Sequence, residues 1–390
     1  MINSKLPNIG SSIFAVMTKM ALDHNAINLS QGFPDFNCPD ELLNLVKKYQ
    51  EDGYNQYAPM PGISVLREKL SKKIKSLYGR NYNPETEITI TAGATEAIFS
   101  AITASIQKDD EVILLEPAYD SYAPSVMING GIPLFIPLTG ENYKIDWDRV
   151  KDNISARTKM IIINSPHNPT GSVINRTDIR ILEELTRNTG ILILSDEVYE
   201  HITFDGEKHF SLSLSEELSK RSFIIFSFGK TYHTTGWKVG YCAAPENLSK
   251  ELRKVHQFIV FSVNTPVQYA YADFLDNEKH FLSLNNFYQR KRDLVLNLLK
   301  DTYFNFTPAK GTYFQLLDYS KISDMDDMTF SKILTKDFGI ATIPLSPFYS
   351  NEYNDKIIRI CFAKKDEVLE EGMRRLINAS EEIKNLKVKK

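Results

Sequence analysis

The feature that most constrains this chain is a series of short, unbroken apolar runs between residues 85 and 245, separated by stretches of helical periodicity. Runs such as EVILLEPAY, GILILSDEVY and FIIFSFGK contain continuous Ile, Leu and Val without polar alternation. Strands of this kind are buried on both faces, which is typical of parallel sheets covered by helices. The pattern therefore predicts an α/β fold with a mainly parallel sheet between helical layers.

The pattern changes near residue 281. A long amphipathic stretch, LNNFYQRKRDLVLNLLK, is followed by two strand-like runs, GTYFQLLDY and KIIRICFA. At 390 residues the chain is long enough for two domains. We predict a large domain at residues 41–281 and a small α+β domain built from residues 1–40 and 282–390.

Composition and charge exclude several classes of protein. The net charge of −3 gives no electrostatic reason to expect nucleic acid as a partner. The apolar runs are far shorter than the ~20 residues of a membrane helix, and the N-terminal residues lack a signal-peptide pattern. Cys38, Cys242 and Cys361 are too widely spaced for a disulfide framework or a metal site. We expect a cytoplasmic protein without a metal.

Polar residues follow the ends of the predicted strands, where open α/β sheets bind their ligands. They are Gly93, Ala94 and Thr95 at the start of a helix, then Tyr119, Asn168, Asp196, Tyr199, Ser227, Lys230 and Lys238. Backbone N–H groups at a helix start suit a phosphate. A lysine, a carboxylate, an aromatic ring and an amide at the same edge complete a set that suits pyridoxal 5′-phosphate.

Two nucleotide-binding alternatives fail on spacing. Gly229-Lys230-Thr231 resembles the end of a phosphate loop, but the glycine required five residues earlier is replaced by Ile224. No G-x-G-x-x-G follows a predicted strand, which argues against a nicotinamide-dependent dehydrogenase. Because WKVGYCAA is predicted to be a strand, we place Lys230 on a strand–loop–strand connection.

The motifs SFGKTYHTTGWKVG, NPTG and SDEVY together resemble class I aminotransferases of fold type I. The segments QGFPDF, QYAPMPGI and VHQFIVFSVNTPVQ are most similar to the methionine and kynurenine aminotransferase branch. The resemblance covers nearly the whole chain. It implies a sheet of the seven-stranded type, pyridoxal 5′-phosphate as cofactor, and ping-pong transfer of an amino group from an amino acid to a 2-oxo acid.

The resemblance also implies a role for each cofactor-binding residue. Lys230 binds the cofactor covalently and moves a proton, Asp196 pairs with the pyridine nitrogen, and Tyr119 stacks on the ring. Tyr199 and Asn168 bind the phenolic oxygen. The phosphate is held by Ser227, Lys238 and the N–H groups of Gly93, Ala94 and Thr95. Relatives contribute the residue at Tyr57 to the neighbouring subunit, which implies a homodimer. Both Glu116–Pro117 and Asn168–Pro169 are expected to be cis.

Substrate selection is predicted from two parts of the chain. By resemblance, Arg359 binds the substrate carboxylate, with help from Asn168 and the backbone near Gly32. Phe261 and Ser262 occupy positions that line the side-chain pocket in the kynurenine branch. The stretch QFIVFSVNTPVQ contains no cation, so methionine and aromatic amino acids are favoured over dicarboxylic ones. Relatives that act on kynurenine often have His at the position of Ser262.

Other functions remain open from the sequence. A cysteine-conjugate β-lyase, or an aminotransferase for kynurenine or glutamine, has the same fold and motifs. An effector-binding domain of a transcription regulator is disfavoured, because only about 40 residues precede the large domain and they contain no basic recognition helix.

Overall fold

The computed structural model describes residues 2–351, 353 and 355–388; residues 1, 352, 354, 389 and 390, which fall in the predicted small domain, lie outside the described residues. The strands are β1 Ile27–Asn28, β2 Ile88–Thr91, β3 Glu111–Glu116, β4 Ile132–Pro137, β5 Thr158–Asn164, β6 Leu192–Asp196, β7 Ser222–Ser227, β8 Gly240–Ala243, β9 Phe314–Asp318, β10 Ile340–Ala341, β11 Ile343–Pro344 and β12 Ile357–Cys361.

Helices connect and cover these strands. They are α1 Ile13–Asp23, α2 Asp40–Glu51, α3 Ser64–Tyr78, α4 Ala94–Ser105, α5 Tyr122–Ile128, α6 Trp147–Asp152, α7 Arg176–Thr186, α8 Glu216–Ser219, α9 Phe228–Thr231, α10 Glu246–Ile259, α11 Thr265–Phe274, α12 Lys279–Leu282, α13 Leu284–Leu299, α14 Asp327–Asp337 and α15 Asp366–Val388. Short 3₁₀ turns lie at Leu212–Leu214, Thr235–Trp237 and Ser346–Phe348.

The central sheet has seven strands in the order β2-β8-β7-β6-β5-β3-β4. Strand β8 is antiparallel to both of its neighbours, and the other adjacent pairs are parallel. The predicted α/β fold with a mainly parallel, seven-stranded sheet is therefore confirmed. Parallel β2, β3, β5, β6 and β7 bring their carboxyl ends to one edge of the sheet, where the predicted site residues follow them.

Both faces of the sheet are buried, as the apolar runs predicted. Along β3, Val112 and Leu114 belong to one hydrophobic cluster, whereas Ile113 and Leu115 belong to another on the opposite face. All six residues of this strand are buried. Burial on both sides explains why the strand sequences lack polar alternation.

Residues before and after the central sheet form two smaller sheets. Strands β11, β12 and β9 form an antiparallel sheet, and β1 pairs in parallel with β10, so that Ile27 lies opposite Ile340. The predicted strands in GTYFQLLDY and KIIRICFA correspond to β9 and β12, and the amphipathic helix to α13. The division into domains at residue 281 stays a prediction.

The connection that carries Lys230 differs from the prediction. Instead of an irregular loop, residues 228–231 form the single helical turn α9, closed by a bond from the Tyr232 N–H to the Phe228 carbonyl. The predicted strand WKVGYCAA begins only at Gly240, because Trp237 ends a 3₁₀ turn and Lys238 has a left-handed backbone (φ 53°). Apolar composition alone did not reveal these turns.

The peptide bonds Glu116–Pro117 and Asn168–Pro169 are cis, as predicted, and Ser165–Pro166 is a further cis bond that the sequence did not indicate. Across residues 2–351, 353 and 355–388, none of the helices combines the length and apolar character that crossing a membrane requires. Within the same ranges, no group of three or more His, Cys, Asp or Glu side chains is placed to hold a metal ion.

Candidate active site

A cavity of about 270 Å³ opens at the carboxyl edge of the central sheet. Most of the residues predicted for the site line it. These are Gly32, Gly93, Ala94, Thr95, Tyr119, Asn168, Asp196, Tyr199, Ser227, Lys230 and Lys238. They come from six separate segments of the chain, which the parallel strand order brings to one place.

One end of the cavity is built to hold an anion. Helix α4 begins at Ala94, so its first N–H groups have no partner within the helix and face this end with the positive end of the helix dipole. Gly93 precedes it with a φ of 80°, and a Cβ at this position would lie 3.3 Å from the Nζ of Lys238. The hydroxyl-bearing Ser227 and the Lys238 ammonium complete a set of donors suited to phosphate.

Asp196 lies at the end of β6 and is buried. Its Oδ2 accepts a hydrogen bond from the Tyr122 hydroxyl at 2.6 Å, and its Oδ1 accepts one from the Val198 N–H at 3.3 Å. Burial raises the pKa of the Asp196 carboxyl to about 6, although both hydrogen bonds oppose the shift. A buried carboxylate of this kind would gain stability from a cationic ligand group beside it.

The Lys230 amine is held by two oxygen atoms. Its Nζ donates to the carbonyl of Gly32 at 3.1 Å and to the hydroxyl of Tyr313 at 2.9 Å. The same Tyr313 hydroxyl donates to the Gly32 carbonyl at 2.6 Å. The amine therefore lies in a small hydrogen-bonded ring at the wall of the cavity.

The charge state of Lys230 is perturbed. Burial is the largest cause that lowers its pKa, which falls to about 8, and the cations Lys238 and Arg359 act in the same direction. Cys361 and Asp196 oppose the shift. At neutral to mildly alkaline pH a usable fraction of this amine is neutral, as a nucleophile or a proton acceptor must be.

Arg359, on β12, is fully buried and forms no ion pair with a carboxylate within the part of the chain that the structure describes. One Nη donates to the Asn168 side-chain oxygen at 2.6 Å and the other to the Ser30 carbonyl at 3.2 Å. Its Nε has no hydrogen-bond partner among the residues that the structure describes, and its guanidinium lies 3.8 Å from the Phe314 ring centroid. Burial lowers its pKa to about 10, yet the group remains a cation at neutral pH.

The segment 30–35 forms the wall opposite the sheet edge and is anchored along its length. Gly32 lies against Phe314, whose ring would be only 2.7 Å from a Cβ at position 32. The Phe33 carbonyl accepts a hydrogen bond from the buried Lys364 at 2.8 Å. These contacts fix the Gly32 carbonyl next to Lys230.

Tyr57, Phe261 and Ser262 do not reach the cavity of their own chain. Tyr57 is 81% exposed and Phe261 is 56% exposed, and their rings meet edge to face at 5.2 Å. The Ser262 hydroxyl donates to the Ala58 carbonyl at 3.0 Å. These three predicted site residues form a separate surface cluster.

Sequence reasoning missed three residues whose side chains form hydrogen bonds with the predicted ones in the described part of the chain. Asn164 accepts a hydrogen bond from the Asn168 N–H at 2.8 Å and donates to the Asp196 carbonyl. Asn164 is the last residue of β5, four residues before Asn168. Because polar residues at strand ends were the criterion for site residues, the same criterion would have identified Asn164. Tyr122 and Tyr313 carry no comparable signal, because neither directly follows a strand of the central sheet.

Comparison with known proteins places the chain in a family. The family model "Aminotransferase class I and II" matches residues 24–376. Methionine aminotransferase of Escherichia coli is 46% identical over 374 residues, which cover 96% of this chain and 97% of that protein. Human kynurenine–oxoglutarate transaminase 3 is 34% identical over 397 residues, covering 94% of this chain and 87% of the relative.

Solved structures agree with the sequence matches. The crystal structure of an E. coli protein with methionine aminotransferase function superimposes with a TM-score of 0.95 and covers 97% of this chain and 99% of that one. N-Succinyldiaminopimelate aminotransferase from Mycobacterium tuberculosis, 34% identical, gives 0.94 over 97% of this chain and 100% of its own. The predicted aminotransferase activity and fold type I are confirmed, and the chain belongs to the class I and II aminotransferases.

Proposed function

We propose that this aminotransferase binds pyridoxal 5′-phosphate covalently at Lys230 and transfers the amino group of methionine and aromatic amino acids to a 2-oxo acid. Its family is pyridoxal-phosphate-dependent and acts on amino acids and 2-oxo acids. The relatives described above are named for different amino donors, so the donor must be argued from the residues of this chain. The buried Arg359, without a carboxylate in direct contact among the described residues, supports an amino-acid substrate, and the cations that line the cavity decide its side chain.

The donors around the cavity fit the cofactor. The start of α4, Ser227 and Lys238 suit its phosphate, and the Tyr119 ring suits its aromatic face. Asp196 would pair with a protonated pyridine nitrogen, which would give the buried carboxylate a cation in direct contact. When bound, pyridoxal 5′-phosphate supplies an electron sink for the charge that develops as the substrate Cα loses its proton.

Lys230 and Asn168 then act on the substrate side. The neutral Nζ of Lys230 accepts the proton from the substrate Cα and returns it, which its lowered pKa permits. Asn168 holds Arg359 through its side-chain oxygen, so the guanidinium keeps a fixed orientation. Fixed donors lose little freedom when a ligand binds, which favours a defined pose.

Arg359 suits the α-carboxylate that all amino donors share. A guanidinium pairs with a carboxylate through two parallel charge-assisted hydrogen bonds. Here the group is already desolvated, its described partners are neutral, and Nε remains unbonded. A substrate carboxylate would therefore give this buried guanidinium a direct ion pair, which Asp120, acting on it without direct contact, does not supply.

The proposed specificity for the substrate side chain depends on which cations line the cavity. Among its lining residues, Lys230 and Lys238 carry positive charge, and both have roles toward the cofactor. A second substrate carboxylate would be buried without a cation of its own, at a cost of several kcal/mol. Methionine instead gains from contact of its thioether with aromatic rings.

We further propose that the surface cluster of Tyr57, Phe261 and Ser262 completes the cavity of a second copy of the chain. Phe258, three residues before Phe261, is 87% exposed as well. Exposed apolar patches of this kind are typical of protein interfaces. In such a homodimer, Tyr57 reaches the partner's cofactor phosphate, and Phe261 and Ser262 line the partner's side-chain pocket.

A panel of amino donors tests the assignment. We expect kcat/KM for methionine to exceed that for aspartate by about 10²-fold or more, because several kcal/mol of uncompensated charge burial separate them. Norleucine, an apolar analogue of methionine, should stay close to methionine. Comparable values for aspartate and methionine would contradict the proposed donor class.

The variant Arg359→Met shows whether Arg359 binds the α-carboxylate of the substrate or a carboxylate of its side chain. It should lower kcat/KM for all donors together by about 10²–10³-fold, since each loses the same charge-assisted pair. The ratio between methionine and aspartate should stay unchanged. A loss confined to one donor would show that Arg359 binds the side chain instead. Release of pyruvate from a cysteine conjugate without oxo acid measures β-lyase activity in the same preparation.

A further inference from the structure

Tyr313 is a buried tyrosine without an assigned role in the reaction. It directly precedes β9, is fully buried, and its ring meets the Tyr199 ring edge to face at 5.1 Å. A buried tyrosine hydroxyl normally requires a hydrogen-bond partner. Here the partners are the Gly32 carbonyl and the Lys230 amine.

The protons in this group can be assigned from donor and acceptor types. Burial keeps the pKa of Tyr313 well above its usual value, so its hydroxyl stays protonated. The carbonyl of Gly32 can only accept, whereas the neighbouring Tyr199 hydroxyl can donate its own proton, so we assign the one hydroxyl proton of Tyr313 to the 2.6 Å bond with Gly32. The Tyr313 oxygen must then act as acceptor in the 2.9 Å contact with Lys230.

The donors and acceptors around Lys230 also determine the direction of its lone pair. A neutral amine has two N–H groups and one lone pair. Its two N–H groups are directed at the Gly32 carbonyl and the Tyr313 hydroxyl. The lone pair must point away from both, and Lys230 faces the cavity on its remaining side.

We propose that Tyr313 is a positioning residue which, together with the Gly32 carbonyl, orients the neutral Lys230 amine so that its lone pair faces the cavity. The inference rests on the proposed function, in which Lys230 is the reactive amine. A phenylalanine would fill the same space, so the hydroxyl is the part of Tyr313 that this role requires.

Competitive labelling of the cofactor-free, full-length chain tests the proposal. Trace acetic anhydride acetylates neutral amines, and mass spectrometry of the Lys230 peptide across a pH series gives both its pKa and its limiting labelling rate. In Tyr313→Phe the ammonium loses an acceptor, so we expect the pKa of Lys230 to fall by about one unit. The limiting rate should fall by up to about threefold, because an amine held by the Gly32 carbonyl alone can turn among staggered wells that direct its lone pair away from the cavity.

Tyr288→Phe is the matched control. Tyr288 is also fully buried, its ring lies 5.6 Å from that of Tyr313, and its hydroxyl contacts the His233 Nδ1 at 3.0 Å. This variant removes a neighbouring buried hydroxyl without touching Lys230, so the pKa and limiting rate should match wild type. Values unchanged in Tyr313→Phe, or equal decreases in both variants, would overturn the positioning role.

A second measurement uses the wild-type protein, so it does not require that Tyr313→Phe folds. A crystal structure of the cofactor-free wild type should show Lys230 Nζ within hydrogen-bond distance of the Tyr313 hydroxyl. An amine turned instead to Asp196 would overturn the proposal. Because labelling needs neither cofactor nor amino donor, its failure leaves transamination by Lys230 standing, whereas failure of the proposed function would appear as turnover by Lys230→Ala.

Discussion

Residues 195–201 separate two buried regions, and the charged groups of these regions have different partners. Asp196 and Tyr199 line the cavity, whereas Glu197 and Glu200 point into a polar region on the other side of the segment. Both regions contain ionisable groups that are almost inaccessible to water. They differ in whether the fold itself supplies each charge with a partner.

The region behind the segment is compensated. Glu200 forms an ion pair with Lys73 and accepts a hydrogen bond from the Tyr78 hydroxyl at 2.6 Å. Burial would raise the pKa of Glu200, but His201 and Lys73 outweigh burial and hold it below its usual range. Lys73 also donates to the Tyr241 hydroxyl at 3.2 Å. We call these five residues the paired cluster.

The cavity is not compensated. Asp196 and Lys230 line it, and Arg359 lies behind the lining residue Asn168; all three charges are buried, and the hydrogen bonds that the structure describes for them go to neutral groups. Asp196 and Lys230 attract each other only without direct contact, and burying a charge without a directly bonded opposite charge is unfavourable for folding. Groups that persist in this state indicate a site whose partners arrive with the ligand, here the cofactor and the substrate carboxylate. Charges of the paired cluster, in contrast, contribute to the fold alone.

The largest expected effect is the loss of activity in Lys230→Ala. Removing both the covalent attachment point and the proton acceptor should lower kcat by about 10⁴-fold or more, while the chain still folds. Turnover with methionine, together with circular dichroism, measures both. Turnover near that of wild type would show that Lys230 is not the proton acceptor.

The paired cluster should respond in the reverse manner. Lys73→Met leaves Glu200 buried without its ion pair, so we expect a loss of about 3–5 kcal/mol in the free energy of unfolding. The folded fraction should keep kcat/KM within about twofold, since Lys73 lies outside the cavity. Urea unfolding measures the loss of stability, and steady-state kinetics measure kcat/KM.

A double variant serves as control for the paired cluster. Adding Glu200→Gln to Lys73→Met removes the unpaired charge and should recover much of the lost stability. A double variant no more stable than Lys73→Met alone would mean that packing, and not charge, accounts for the effect.

The sequence predicted one of these regions far better than the other. Residues such as Asp196 and Ser227 end parallel strands, and parallel strands bring their carboxyl ends together in any order of the sheet. Local sequence is therefore sufficient to predict that these residues meet. The central sheet was predictable for the same reason, because its apolar runs are continuous in sequence.

The hydroxyl and ion-pair partners could not be predicted in this way. Tyr313 lies before a strand of a different sheet, and Lys73 is 127 residues from Glu200. Which hydroxyl reaches Lys230, or which lysine reaches Glu200, depends on how helices and sheets pack. Arg359 was expected from family resemblance alone, since an arginine in KIIRICFA is as compatible with a solvent-facing strand as with a binding site.

The smallest expected effect is also the most direct test of the contrast between the two regions. Burial raises the pKa of Asp196 from 3.8 to about 6, so the folded chain binds this proton more tightly than the unfolded chain. Stability contributed by the protonated form is therefore lost as pH rises between about 4 and 6. Asp196→Asn avoids this loss, although its single side-chain oxygen can accept from only one of the two donors, the Tyr122 hydroxyl or the Val198 N–H.

The decisive measurement is the free energy of unfolding of cofactor-free Asp196→Asn relative to wild type at pH 7.5 and pH 4. We predict that the variant is more stable by about 1–2 kcal/mol at pH 7.5, because about 3 kcal/mol of relieved charge burial is partly offset by one lost hydrogen bond. This stabilisation should disappear at pH 4, and transamination should be lost. Destabilisation of Asp196→Asn at pH 7.5, similar in sign to that of Lys73→Met, would contradict the account, because the cavity charges would then stabilise the fold as the paired cluster does.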